Sequence, residues 1–308
     1  MRFKNSRIIA VALSLGLVLT ACNNDNTDNK TETTETSSSE ADKSSEANDY
    51  DFVVVSREEG SGTRGAFTEL VGLEEKNDDG SKEDKTTVEA EVQNSTNGVM
   101  TTVSSDPNAI GYISLGSLND TVKAIKVDGV EATEANIESG DYKISRPFNL
   151  AYKEDELDDL SKDFLDYCLS TKAQDVVKEE GYVALKDTKD YEEKDGLKGS
   201  ITVAGSTSVT PLIEKLAESY KSINPEVKIE VQSNGSTAGI QAVRDNAASI
   251  AMSSRELDDQ ESKELKSEVI ATDGIAVVVN NDSKIDDLTV EELRQIFSGE
   301  IINTGELD

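Results

Sequence analysis

Ile201-Thr202-Val203-Ala204-Gly205-Ser206-Thr207-Ser208-Val209-Thr210-Pro211-Leu212 decides the fold. An apolar strand runs into a Gly/Ser/Thr loop, and a helix opens with proline in its first turn. Ile213, Leu216, Ala217 and Tyr220 continue that helix with one apolar face. A second stretch repeats the plan: Phe52-Val53-Val54-Val55, then Gly60-Ser61-Gly62-Thr63-Arg64. A helix N-terminus carries unsatisfied N–H groups and a partial positive charge, glycine lets an anion approach the backbone, and Ser and Thr add hydroxyl donors. Taken singly, each loop is an ordinary strand-to-helix turn with a hydroxyl cap. Taken together, they suggest an oxyanion held from two sides.

The repetition extends further. Val88-Glu89-Ala90-Glu91-Val92-Gln93 leads into Asn94-Ser95-Thr96-Asn97-Gly98, and Val227-Lys228-Ile229-Glu230-Val231-Gln232 leads into Ser233-Asn234-Gly235-Ser236-Thr237. The chain therefore reads as α/β, with two copies of strand–loop–helix followed by strand–loop–helix. Two related lobes facing one another across a cleft follow, with strand carboxyl ends toward the ligand. Lobe A is expected to combine 50–146 with 281–308, and lobe B to span 147–280. The crossings fall near Arg146–Tyr152 and Ala276–Asn280. Residues 186–198, which carry Asp187, Lys189, Asp190, Glu192, Glu193, Lys194 and Asp195, read as a polar connector. Thr289-Val290-Glu291-Glu292 forms a capping box before Leu293, Ile296 and Phe297.

The first 21 residues read as a signal peptide: Arg2, Lys4 and Arg7, then an apolar run from Ile8 to Leu19. Leu19-Thr20-Ala21-Cys22 resembles a bacterial lipobox, so Cys22 is the expected lipidation site; an incidental cysteine after a plain secretory signal is the alternative. Residues 23–49 have only Ala41 and Ala47 as apolar members and read as a disordered tether. The remaining cysteine, Cys168, lies on the helical face of Leu157, Leu160, Phe164, Leu165 and Leu169 and reads as a core thiol. With 31 basic and 62 acidic residues the formal charge is −31, which excludes a phosphate-tracking nucleic-acid binder. A small anion in a closed cleft answers to local dipoles instead, because exposed charges are screened within about 8–10 Å. The absence of histidine removes the usual general base and the commonest zinc ligand.

Arg57 and Arg64 flank the Gly60–Thr63 loop, and Arg255 follows Ile250-Ala251-Met252-Ser253-Ser254. The guanidinium fork suits a tetrahedral oxyanion, although Glu58 and Glu59 offer Arg57 ready ion-pair partners. Several segments resemble the extracytoplasmic phosphate-binding proteins of ABC phosphate importers. They are Ala204–Leu212, Ser233–Gly239, Met252-Ser253-Ser254-Arg255-Glu256-Leu257, Asp273–Asn280, Ile296-Phe297-Ser298-Gly299-Glu300-Ile301 and Arg57–Arg64. The resemblance implies a two-lobe periplasmic-binding-protein-like (type II) fold with phosphate in the interdomain cleft. It implies importer permease and ATPase partners, a lipid-anchored position outside the cytoplasm on a Gram-positive-type membrane, no cofactor, no metal and no catalysis. By motif position it assigns Thr207, Ser208, Ser236, Ser254, Arg57, Ser61, Gly62 and Thr63 to the ligand, with Asp273, Arg64, Arg255 and Gly235 as additional candidates.

Two departures stand out. Some family members carry Asp where this chain has Ser254, and that carboxylate accepts the proton of hydrogen phosphate and rejects sulfate; Asp273 is the candidate acceptor here, or else a turn residue. The segment order also differs: Arg57–Arg64 opens the domain and Ile296–Ile301 closes it, so the chain reads as circularly permuted, with 186–198 joining the usual termini. A fragment of a rearranged gene that needs a partner chain is the alternative. Among other functions, a binder of sulfate or molybdate and a non-transporting phosphate sensor stay open. Gly60-Ser61-Gly62-Thr63-Arg64-Gly65 matches G-x-G-x-x-G, but Arg57-Glu58-Glu59 separates it from its strand, which disfavours a dinucleotide enzyme. A secreted phosphatase or esterase lacks its histidine and any G-x-S-x-G elbow.

Overall fold

A computed structural model describes residues 49–77 and 82–307. The expected signal peptide, Cys22 and nearly all of the tether lie outside the described residues. In chain order the first elements are β1 (Val53–Arg57), α1 (Gly62–Leu70), β2 (Glu74–Lys76), β3 (Lys82–Asp84), β4 (Glu91–Gln93), α2 (Thr96–Ser105), β5 (Ala109–Ser114), β6 (Lys123–Ala124), β7 (Lys126–Val127) and α3 (Glu134–Ser139). Then follow β8 (Ser145–Tyr152), α4 (Asp159–Cys168), α5 (Thr171–Glu179), β9 (Gly199–Gly205), α6 (Thr210–Ile223), β10 (Val227–Ser233), α7 (Ser236–Arg244), β11 (Ile250–Ser253), α8 (Glu261–Glu264), β12 (Lys266–Val279), β13 (Asp287–Leu288) and α9 (Val290–Ser298).

The principal sheet runs β10-β9-β11-β8-β12-β5-β1-β4, with β6 also on β12. In each half the first strand of a repeat sits between its two parallel partners: β1 between β4 and β5, β9 between β10 and β11. The internal repeat is thus a repeat of topology. The first copy is cut short, because β4 spans only Glu91–Gln93 and Val88 is 95% exposed. Its counterpart β10, the edge strand at the other end of the sheet, runs the full seven residues from Val227 to Ser233.

Strand β12 joins the halves. Its residues from Lys266 to Gly274 pair antiparallel with β8, and from Ile275 to Val279 with β5. The change of partner falls between Gly274 and Ile275, so residues 275–279, expected in lobe B, belong with lobe A. Period-2 alternation explains why: Ile275, Val277 and Val279 enter one core, with Phe67, Tyr112 and Ile110, while Ala276 and Val278 enter the core on the opposite face, with Val99 and Val103. Leu288, Leu293, Ile296 and Phe297 pack into that first core too, which returns the chain's end to its beginning. Helix α9 starts at the expected Thr289/Glu292 capping box.

The other half has its own core, containing Phe164, Cys168, Leu212, Leu216 and Tyr220. Cys168 is fully buried and burial raises its pKa, which keeps the thiol protonated. The connector is pinned rather than loose. Buried Asp163 accepts from Tyr191 Oη (2.5 Å) and Tyr220 Oη (2.7 Å) and forms an ion pair with Lys194 Nζ (2.8 Å), and Thr171 N–H donates to the Lys189 carbonyl. Burial works to raise the Asp163 pKa, but these donors outweigh it and the net shift is downward.

Candidate functional site

Four helices open at one place: α1 and α2 from one half, α6 and α7 from the other. Helices α1 and α6 follow the inner strands β1 and β9, and α2 and α7 follow the edge strands β4 and β10, so the parallel pairing of β1 with β4 and of β9 with β10 carries the helix starts to a common edge. Separate residues cap most of these helices. Ser61 Oγ accepts from Arg64 N–H on α1, Ser95 Oγ from Gly98 N–H on α2, and Ser206 Oγ from Ser208 and Val209 N–H ahead of α6. The next hydroxyls along are therefore free of capping duty, and they meet across the halves. Thr63 Oγ1 lies 2.9 Å from Ser208 Oγ, and Thr96 Oγ1 lies 3.2 Å from Ser208 Oγ and 3.3 Å from Thr207 Oγ1. Ser206 Oγ donates to Ser254 Oγ at 2.9 Å, and Ser236 Oγ is 3.5 Å from the same atom. Thr63, Thr96, Ser208, Ser236 and Ser254 are all buried.

Gly62 is required at its position. A Cβ there would sit 2.4 Å from Ser236 Oγ and 2.6 Å from Ser254 Oγ. Gly205 holds φ +142, and a Cβ would come within 2.2 Å of the Met252 carbonyl oxygen. The glycines of both loops thus let opposing backbones and hydroxyls close to contact distance. The Gly60 carbonyl even accepts from Thr237 N–H at 3.2 Å, a backbone bond between the halves.

Arg57, at the end of β1, is the only charged side chain with a hydrogen bond to a hydroxyl of this cluster among the described residues. It is 1% exposed. Its Nε and Nη2 grip Glu58, both at 2.8 Å, and Nη2 also donates to Thr207 Oγ1 at 3.1 Å. Its Nη1 is buried without a partner. A buried donor left unmade costs about 1–3 kcal/mol or more when charged, so this nitrogen marks where an acceptor belongs.

The structure thus brings together Arg57, Thr63, Thr207, Ser208, Ser236 and Ser254, with Ser61, Gly62 and Gly235 in the loops that shape the site. It leaves out three of the additional candidates. Arg64 turns to Asp84 (2.6 Å) and the Arg57 carbonyl. Arg255 makes a two-bond pair with Glu261 and lines a neighbouring cavity of about 610 Å³ with Arg146, Lys82 and Glu69. Asp273, the expected proton acceptor, lies at the strand crossing, where Oδ1 accepts from Ser114 Oγ (2.9 Å) and Oδ2 from Arg146 Nη2 (3.1 Å). Burial pushes its carboxyl up to about 6 against the pull of Arg146 and Ser114. Its acceptor capacity is used by those partners. Thr96 was missing from the sequence-derived set, although the repeat contained the signal: Thr96 opens α2 as Ser236 opens α7.

A model of the PBP superfamily domain matches residues 24–172 and 191–304. The chain is 46% identical over 308 residues to phosphate-binding protein PstS 2 of Streptococcus agalactiae serotype V, covering 99% of each. It is 44% identical over 302 residues to the protein of that name from Streptococcus pneumoniae serotype 4, covering 98% of each. The crystal structure of a phosphate-binding protein of a phosphate ABC transporter from Streptococcus pneumoniae matches with TM-score 0.67 at 46% identity, over 84% of this chain and 100% of that one. With its α/β halves, its paired loops and these end-to-end matches, the chain belongs to the PBP superfamily and, within it, to the phosphate-binding proteins of ABC importers.

Proposed function

We propose that the chain binds inorganic phosphate outside the cytoplasm and delivers it to the permease and ATPase subunits of an ABC importer, performing no chemistry itself. The observation that carries this reading is the unpartnered Nη1 of buried Arg57 beside hydroxyls from four helix starts. Fixed donors and positive dipole ends replace the water of a tetrahedral anion. The names borne by the full-length streptococcal relatives point the same way. Calorimetry of the purified protein with phosphate and then sulfate tests it; absence of a phosphate signal would sink it.

A second oxyanion is favoured by one observation. Among the described residues the hydroxyl cluster includes no carboxylate free to accept a ligand proton, since Glu58 is held by Arg57 and Asp273 by Arg146. Sulfate, which has no proton to donate, is therefore the competitor to measure.

Lipid attachment through Cys22 completes the reading. More than one acyl chain is needed for stable anchoring, and Cys22→Ala should release the protein from the membrane fraction. The segment order is read as a circular permutation about 186–198, supported by the repeat of topology and by the return of α9 to the first core. A chain opened within 186–198 and joined from 308 to 50 should fold and bind phosphate.

A further inference from the structure

We propose that Thr96 is a further contact for the bound oxyanion, supplied by α2, the fourth helix of the site. The proposal rests on the phosphate reading of the cluster. Three observations carry it. Thr96 is 3% exposed, and its hydroxyl touches both Thr207 (3.3 Å) and Ser208 (3.2 Å) of the opposite half. An anion oxygen within reach of those two hydroxyls is then within reach of Thr96 as well. Next, Thr96 has no capping task, because Ser95 Oγ takes the Gly98 N–H at 3.0 Å. This repeats the division of labour on α1, where Ser61 caps and Thr63 faces Ser208. Last, the proton count leaves a donor over. Thr63, Ser208, Thr96 and Thr207 form a row joined by three contacts, and each hydroxyl owns one proton. Thr207 already accepts from Arg57. Three contacts use three of four protons, so at least one hydroxyl proton is directed elsewhere, and an arriving anion draws the others from bonds that only satisfied one another.

The test is phosphate titration of purified wild type, Thr96→Val, Thr96→Ser and Arg57→Ala, with ligand-free thermal melts of each. Valine keeps the shape and removes the hydroxyl; serine keeps the hydroxyl. Thr96→Val should bind phosphate about ten- to a hundredfold more weakly, the range of one hydrogen bond to a charged group. Thr96→Ser should stay within about threefold of wild type, and neither should shift the ligand-free melting temperature by more than about 2 °C. Wild-type affinity in Thr96→Val, with binding lost in Arg57→Ala, overturns the Thr96 assignment alone. Equal loss in the valine and serine variants also overturns it, since the methyl group and not the hydroxyl would then matter. A wild type that takes up no phosphate overturns the reading of the site, and the Thr96 contact with it.

Discussion

Two arginines are buried to almost the same degree, and they do opposite things. Arg57 and Arg146 are 1% and 3% exposed, each is gripped by a carboxylate, and each keeps Nη1 without a hydrogen-bond partner. Arg57 stands at the end of β1 among helix starts, and its Nη2 also donates to a hydroxyl of the other half, Thr207 Oγ1. Arg146 stands at the start of β8, where β12 changes partners, with its guanidinium carbon 5.4 Å from the Phe148 ring centre. Its carboxylate, Asp273, lies on the neighbouring strand and is fully enclosed, whereas Glu58 is a quarter exposed. Burial lowers the Arg146 pKa, against the raising effect of Asp273. On the proposed reading one arginine receives an anion; the other already has its anion built in. Burial and charge alone do not distinguish a binding residue from a structural one. A guanidinium bond that reaches a hydroxyl of the opposite half does.

Asp273→Ala leaves the Arg146 charge buried and unpaired, and should destabilise the protein by about 3–5 kcal/mol. Denaturant unfolding reads this, and the folded fraction should still bind phosphate. Arg57→Ala should do the reverse. It should weaken phosphate binding by about 2–5 kcal/mol, with unfolding changed far less. If both variants lost stability and binding alike, the division between cage and crossing would be wrong.

The parts of this division legible in sequence were the local ones. Arg57, the Gly60–Thr63 loop and the Gly205–Ser208 loop are each written in consecutive residues, and their chemistry follows from helix starts. Thr96 was legible too, through its repeat of Ser236, but it has no flanking arginine or Gly-Ser loop to mark it. The partner of Asp273 was not legible, because Arg146 lies 127 positions away and only strand pairing brings it near. The same holds for Asp163, which fastens the connector through Tyr191 and Lys194. The crossing moved from 276–280 to Gly274–Ile275 because an unbroken apolar run hides where a strand changes neighbours.

The raised pKa of Asp273 makes the crossing sensitive to pH. A folded-state value of about 6, above the ordinary carboxylate value, means that the native state takes up a proton first as pH falls. The ionised carboxylate therefore costs stability above pH 6, and the cost is relieved as pH falls from 7 toward 4. Relative to Asp273→Asn, which does not titrate, wild type should gain about 1 kcal/mol between pH 7 and pH 5. Paired unfolding curves at the two pH values check it. A wild type that loses stability relative to the asparagine variant over that interval would show that Arg146 dominates and holds the carboxyl low.

The smallest expected effect is the most pointed one. A carboxylate that accepts a ligand proton makes a site prefer hydrogen phosphate over sulfate, and its removal shifts the ratio by the worth of a charged hydrogen bond, about 1.5–3 kcal/mol. Asp273 has one oxygen on Ser114 and the other on Arg146, at the crossing rather than among the hydroxyls. The amide of Asp273→Asn can still accept from one of these partners through its carbonyl. The phosphate-to-sulfate affinity ratio of Asp273→Asn at pH 7.5 should therefore stay within about twofold of wild type, less than 0.5 kcal/mol. Competition calorimetry with both anions measures it. A tenfold move toward sulfate would carry Asp273 from the crossing into the cage. An unchanged ratio leaves discrimination to neutral hydroxyls such as Ser254 and Thr96, whose oxygens can accept a hydrogen bond as well as donate one.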